Sequence, residues 1–328
     1  MESKLNQDYI RYEQVEKKQS YHLAEDPREA FDDDFPIRTC DMRSPDFARE
    51  LGEALREIGF AILDGHGIDP ALYDEAEQKI IEMFERLSPD EKLRFRAQRH
   101  GSVNQGYFPI HETSMQHPDW VEGWVFCRRA FDQPNEFWPM PEYAEFFRRI
   151  VEAHERLILP VMQAMLTFLG CDPHLYDRKL TGTNFGLRLN YYPPVADAAR
   201  LLGHEDVDMF TLLPAPGVEG LQILNRRNMK WVRLDAPRGT IILNTGDYMQ
   251  RISNDIFPST THRVSRPRDP RQRAAKRVSF PMAIYVWEEE VLEVLPCVGN
   301  PKYAPVKAIE FHTSITSKFY GDDYAVKA

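Results

Sequence analysis

The chain has 328 residues, enough for one large domain or two smaller ones, and its 42% hydrophobic and 12% aromatic content can build a buried core. Its 51 acidic against 41 basic residues leave a net charge of −10, which argues against nucleic acid as a general partner. No apolar run is long enough to span a bilayer, and the polar stretch at residues 1–34 has no signal-peptide character, so no membrane partner is expected. Cys40, Cys127, Cys171 and Cys297 are scattered without a C-x-x-C pair; they signal neither a zinc knuckle nor a disulfide framework, and reduced thiols fit a cytoplasmic setting. Oligomeric state is left open.

In chain order, Ser44-Pro45 reads as an N-cap followed by proline at the first helical position, and Phe47, Leu51, Leu55 and Ile58 then recur at helical spacing. Gly59 ends that helix, Phe60–Leu63 is a short apolar strand, and Asp64-Gly65-His66-Gly67 turns the chain. Asp69-Pro70 opens a second helix with Leu72, Ala76, Ile80, Phe84 and Leu87 on one face. Ser88 and Glu91 form a capping box for a third. His66 lies in a turn with no partner at metal spacing and is read as structural. Residues 100–135 are less regular; Tyr107, Trp124 and Phe126 there are candidates to line a substrate pocket, with core packing as the alternative. Phe147, Ile150, Val151, Leu157 and Val161 mark a long helix that includes His154 as a core histidine. Pro160 is expected to kink or break it, and Gly170 to close it.

The second half reads as strands. In Asn184–Tyr192, alternation puts Phe185, Leu187, Leu189 and Tyr191 on one face and Asn184, Arg188, Asn190 and Tyr192 on the other, and Pro193-Pro194 ends the strand. Such a polar face lies in water or lines a polar cavity. Strands follow at 209–213, 220–224, 230–234 and 239–244, with Gly246-Asp247 as a turn, and this run of short strands suggests a sandwich or jelly roll. Between them stand His204-Glu205-Asp206 and, further on, His262-Arg263-Val264. On a strand, side chains two apart share a face, so His204 and Asp206 can reach one ion while Glu205 points away. Two histidines and a carboxylate on one face of a metal, with other positions open, suit a non-haem iron(II) oxygenase. A bare H-x-D is common by chance, and a surface His-Asp pair with a loop histidine is the plain alternative. Arg277 and Ser279 share a strand face, and a guanidinium beside a hydroxyl suits a carboxylate. The basic run Arg263, Arg266, Arg268, Arg271, Arg273, Lys276 and Arg277 is either a solvated hairpin loop or a rim that attracts anions.

Taken together, Asn190-Tyr191-Tyr192-Pro193, His204-x-Asp206, Gly220-Leu221-Gln222, Trp231-Val232, Asn244-x-Gly246-Asp247, Ser253-Asn254, His262-Arg263-Val264 and Arg277-x-Ser279 stand in one order. In that order the chain resembles the 2-oxoglutarate- and Fe(II)-dependent dioxygenases of the isopenicillin N synthase-like superfamily. Gly59-Phe60, His66-Gly67-Ile68 and Glu91-Lys92 extend the resemblance into the N-terminal region.

The resemblance implies an α+β protein: a distorted jelly-roll (double-stranded β-helix) core with flanking helices and a helical N-terminal region. The expected divisions are a polar extension at 1–34, a mostly helical N-terminal region at 35–175, the jelly-roll core at 176–290 and a C-terminal segment at 291–328. It implies Fe(II) on His204, Asp206 and His262, and 2-oxoglutarate on Arg277 and Ser279 with Asn190 and Tyr192 near its other end. O2 is then the oxidant, with ascorbate as an accessory reductant. The implied activity is hydroxylation, desaturation or ring closure of a small natural-product-like molecule through a ferryl intermediate, releasing succinate and CO2. Tyr107, Trp124, Phe126 and Arg188 are the candidate substrate contacts, and Asn244 and Asp247 are read as structural. Glu205 departs from the small or hydroxylated residue usual between the ligands, Val195 replaces a cysteine common after the proline pair, and Asp208 is a rival ligand on the face of Asp206. Two alternatives stay open: an oxidase of this fold that does not use 2-oxoglutarate, and a non-catalytic metal-binding jelly roll.

Overall fold

The computed structural model describes residues 29–110, 119–194 and 201–320. Most of the expected extension at 1–34, and Val195, lie outside the described residues. The first elements follow their local signals. Strands β1 (Thr39–Asp41) and β2 (Phe60–Asp64) flank the helix Phe47–Ile58. That helix begins at Phe47 rather than at Pro45, because the Ser44 hydroxyl is taken up by the Asp46 N–H in a turn ahead of it. It ends at Gly59, whose φ of 74° lets its N–H reach the Leu55 carbonyl. A Cβ there would come within 2.5 Å of the Pro258 carbonyl oxygen, so glycine is required by both backbone and space. The helix Pro70–Arg86 starts at Asp69, which accepts from the Ala71 N–H, and Ser88 and Glu91 complete their capping box.

His66 is structural: its Nδ1 accepts from the Ile68 N–H, and its Nε2 lies 2.8 Å from the Gly239 carbonyl. The long helix runs unbroken through Pro160, from Pro141 to Phe168. Losing one backbone hydrogen bond is outweighed by the burial of Leu157, Ile158, Val161 and Met162 on either side of the proline. His154 sits in that core against the Tyr73 hydroxyl, and burial pushes its pKa down to about 3, so it is neutral.

The N-terminal region is less helical than its sequence suggests. It also supplies β3 (Gln98–His100), β4 (Val103–Phe108) and β5 (Glu122–Phe126), in the stretch that reads as irregular. The remaining strands are β6 (Asn184–Tyr192), β7 (Leu201–His204), β8 (Phe210–Pro214), β9 (Leu221–Asn225), β10 (Lys230–Arg233), β11 (Ile241–Thr245), β12 (His262–Val264), β13 (Arg277–Ser279) and β14 (Met282–Tyr285). Gly246-Asp247 is not a free turn: Gly246 caps a short helix, Asp247–Ile252.

Two sheets form the distorted jelly roll. The larger runs β1-β2-β11-β8-β14-β6-β5-β4-β3 with β13 also on β6; the smaller runs β10-β9-β12-β7. The N-terminal strands therefore extend both ends of the larger sheet, β2 beside β11 and β5 beside β6. On one side of the larger sheet lies the main apolar core, shared with the helices Phe47–Ile58, Pro70–Arg86 and Pro141–Phe168. On the other side, residues of both sheets line one cavity.

Strand parity overturns the expected aromatic pocket. Tyr107, Trp124 and Phe126 belong to the main core, where Trp124 lies within ring contact of Tyr107, Phe84, Phe95 and Phe126. Their strand neighbours Phe108 and Val125 line the cavity instead, because successive side chains on a strand face opposite sides. The cysteine expectation is also corrected. Cys171 and Cys297, 126 residues apart, form a disulfide that ties the end of the long helix to the C-terminal segment; Cys40 and Cys127 are free and buried. Tertiary packing, not spacing, brings that pair together.

Alkylation of the denatured, unreduced protein modifies Cys40 and Cys127 only, and Cys297→Ser lowers the unfolding free energy by about 2–4 kcal/mol in urea titration. Trp124→Ala costs about 3–5 kcal/mol of stability, as loss of a core aromatic does; an unchanged urea midpoint would contradict its placement in the core.

Candidate metal and cosubstrate site

The site starts with the pairing of β7 and β12, which sets His204 directly across from His262. The chain leaves β7 at His204, and Asp206 lies just past the strand end rather than within it. Asp206 nonetheless faces both histidines. Its Oδ1 is 3.9 Å from His204 Nε2, and its Oδ2 is 3.8 Å from His262 Nε2. One ligand atom from each residue lies within 4.8 Å of the others. Ligand atoms about 2.1 Å from one ion and at right angles lie about 3 Å apart, so the three side chains stand about an ångström wider than around a bound ion.

The surroundings prepare these three side chains. His262 Nδ1 lies 3.1 Å from the Thr260 carbonyl, a contact that places a proton on Nδ1 and leaves Nε2 with a lone pair toward Asp206. The edge of Phe60 packs on the same ring. Asp206 Oδ2 accepts from the Asn244 side-chain amide at 2.8 Å and from the Thr211 hydroxyl at 3.2 Å. Burial pushes the Asp206 carboxyl up, but His262, His204 and these two donors outweigh it and hold its pKa below the usual carboxylate range. Asn244 and Thr211 are thus more than turn or core residues. No sequence pattern marks Thr211; Asn244 stands in the matched Asn-x-Gly-Asp element, and only pairing of β8 with β11 puts both beside Asp206.

Asp208, the rival ligand, falls outside the cluster. It is wholly buried, its Oδ2 lies 2.5 Å from the Thr211 hydroxyl oxygen, and burial together with the adjacent Asp206 charge pushes its pKa well up. Glu205 lines the same cavity, and its carboxylate accepts from the Thr261 hydroxyl.

The second half of the site comes from β13 on β6. Their register sets Arg277 across from Tyr192 and Ser279 across from Asn190. The Asn190 amide donates to the Ser279 hydroxyl, and the Arg277 guanidinium lies 4.9 Å from the Tyr192 ring centroid. Arg277 is 1% exposed; its Nε donates to the Val218 carbonyl, and its Nη1 is buried without a hydrogen-bond partner. An orphaned guanidinium donor costs free energy that a carboxylate would recover, so this seat fits the distal carboxylate of a small dicarboxylate. His204, Asp206, His262, Asn190, Tyr192, Arg277, Ser279 and Arg188 all line the one cavity of about 260 Å³.

The rest of the basic run does not reach this cavity. Arg263 is buried on the Trp231 ring and forks onto Glu29, Arg271 pairs with Asp269, and Lys276 pairs with Glu85.

Two family profiles match the chain: the 2OG-Fe(II) oxygenase superfamily over residues 183–284, and the non-haem dioxygenase in morphine synthesis N-terminal over residues 35–143. The chain is 28% identical over 292 residues to 2-oxoglutarate-dependent dioxygenase 11 of Oryza sativa subsp. japonica, spanning 84% of this chain and 78% of that protein. It is 29% identical over 248 residues to gibberellin 3-beta-dioxygenase 2-2 of Triticum aestivum, spanning 71% of this chain and 66% of that protein. A 2OG-Fe(II) oxygenase family protein of Caulobacter crescentus matches its fold with a TM-score of 0.74 at 26% identity, covering 86% of this chain and 98% of that one. One profile falls on the N-terminal region and the other on the jelly roll that carries Arg277 and the His-Asp-His cluster, and the chain belongs to the 2OG-Fe(II) oxygenase superfamily, with Fe(II), 2-oxoglutarate and O2 as its cofactors.

Proposed function

We propose that His204, Asp206 and His262 hold Fe(II) and that Arg277 and Ser279 receive the distal carboxylate of 2-oxoglutarate, in an oxygenase that hydroxylates, desaturates or cyclises a small natural-product-like molecule. The observation that carries this reading is that one cavity presents both a three-ligand cluster and a buried guanidinium with an unpartnered donor. When bound, iron and 2-oxoglutarate would supply the oxidising power: substrate, 2-oxoglutarate and O2 give the oxidised substrate, succinate and CO2, with water as well when the substrate is desaturated or cyclised.

The protein's own residues do the holding and orienting. The two imidazoles and the Asp206 carboxylate would hold the ion at the cavity wall. The Thr260 carbonyl keeps His262 in the tautomer that ligates, while Asn244 and Thr211 keep Asp206 charged and turned inward. Arg277 fixes the far end of the cosubstrate by charge and direction, and the Asn190 amide holds the Ser279 hydroxyl beside it. Leu213, Leu221, Val264 and Val207 line the cavity and limit water around the reacting centre.

The test is succinate release by the iron-loaded protein, with bound iron and melting temperature measured alongside. Asp206→Ala and His262→Ala fold but retain no stoichiometric iron and release no succinate. Asn244→Ala weakens iron binding by about 10- to 100-fold, the usual effect of losing a group that orients a ligand. Arg277→Ala loses a charge-assisted hydrogen bond of about 1.5–3 kcal/mol, so KM for 2-oxoglutarate rises by about ten- to a hundredfold with iron retained. Product formation without succinate would instead indicate an oxidase that does not use 2-oxoglutarate.

A further inference from the structure

Arg188 and Arg277 are the two lysine or arginine side chains that line the cavity among the described residues. Arg277 is accounted for by the cosubstrate; Arg188 is not. It stands on the cavity face of β6, two residues before Asn190, opposite Val125 of β5. Its Nε donates to Asn190 Oδ1 at 2.8 Å, and its guanidinium lies 5.3 Å from the Phe108 ring centroid. Space for it is left by Gly123, where a Cβ would approach Nη2 to 3.2 Å. An amide, an aromatic face and a glycine gap thus hold the guanidinium, and none of them is an acid. Two of the cavity carboxylates are engaged elsewhere: Asp206 by Asn244, Thr211 and the histidines, and Glu205 by Thr261.

A half-buried guanidinium on a cavity wall, anchored through Nε and with no acid among these contacts, is half of a bidentate carboxylate site. Anchoring through Nε fixes the plane of the fork, so little side-chain entropy is lost when an anion docks. Displacing water from the guanidinium's remaining donors with a neutral group would leave them unpaired, which selects against uncharged analogues. We propose that Arg188 reads a carboxylate on the substrate, so that the enzyme acts on small organic acids. Phe108 and Val125 give this seat apolar walls, and the acid is held by one end with its carbon skeleton directed toward the His-Asp-His cluster. This assignment rests on the iron and 2-oxoglutarate reading of the same cavity.

The experiment uses the full chain loaded with Fe(II) and 2-oxoglutarate. Succinate release is measured across a panel of small monocarboxylic acids on cyclic apolar skeletons, each beside its methyl ester. The acids stimulate succinate release, and their esters do so at least tenfold less well. Arg188→Gln raises KM for the best acid more than tenfold and KM for 2-oxoglutarate less than threefold. Stimulation by esters equal to that by acids, no stimulation by any acid, or an equal rise in both KM values for Arg188→Gln overturns the assignment. Failure of the underlying reading is distinct: the wild-type protein then shows neither iron retention nor a 2-oxoglutarate-dependent absorption band under anaerobic conditions, whatever acid is present.

Discussion

Strand β6 is buried on both faces, and that constraint shapes the rest of the molecule. One face carries Phe185, Leu187, Leu189 and Tyr191 into the main core; the other carries Arg188, Asn190 and Tyr192 into a cavity. Polar groups cannot be taken out of water without partners, so the second face has to be satisfied from within the protein. The partners come across the strand pairings. Ser279 answers Asn190, Arg277 lies over Tyr192, and Asn190 in turn accepts from Arg188. The row that would be a solvated edge in an open sheet becomes the wall of a ligand site.

The cluster on the other wall faces a different cost. Asp206 and Asp208 lie two residues apart, and Asp208 is wholly buried. Two neighbouring carboxylates, one half-buried and one wholly buried, cannot both stay ionised cheaply. The fold resolves this by dividing the roles. Asp206 gains two imidazoles, an amide and the Thr211 hydroxyl and stays charged, whereas Asp208, left with only the oxygen of that same hydroxyl beside it, is pushed toward its neutral form. Only the first is equipped as a metal ligand, which is how one of two similar aspartates is chosen.

The N-terminal region is continuous with the jelly roll because its strands complete the same sheet. β2 pairs with β11, and β5 with β6, so the cavity gains Phe108 and Val125 from residues far before the motif region. The division of the chain into a helical front and a β core is therefore one of sequence order. In space the two share a hydrogen-bonded sheet, and the helix Pro141–Phe168 packs on the core from the other side.

Much of this was legible in the residues. Local chemistry was enough for the Gly59 cap, the Asp69 and Ser88 helix starts and the alternation of β6, since these depend on neighbours a few positions apart, whereas the set His204, Asp206 and His262 was legible through the order of motifs along the chain. β4 and β5 were not legible: each carries a glycine, and they are strands because β6 pairs with β5 and β5 with β4. Their parity then decides that Val125 rather than Trp124 meets the cavity. The support of Asp206 by Asn244 and Thr211, the exclusion of Asp208 and the Cys171–Cys297 link likewise join residues far apart in the chain or decide between near neighbours. The sequence by itself determined which groups could ligate a metal and grip a carboxylate, because that is a property of side-chain chemistry and short spacing. Tertiary structure alone decided which groups face the cavity and which partners hold them, because strand pairing sets side-chain direction and pairing is long-range.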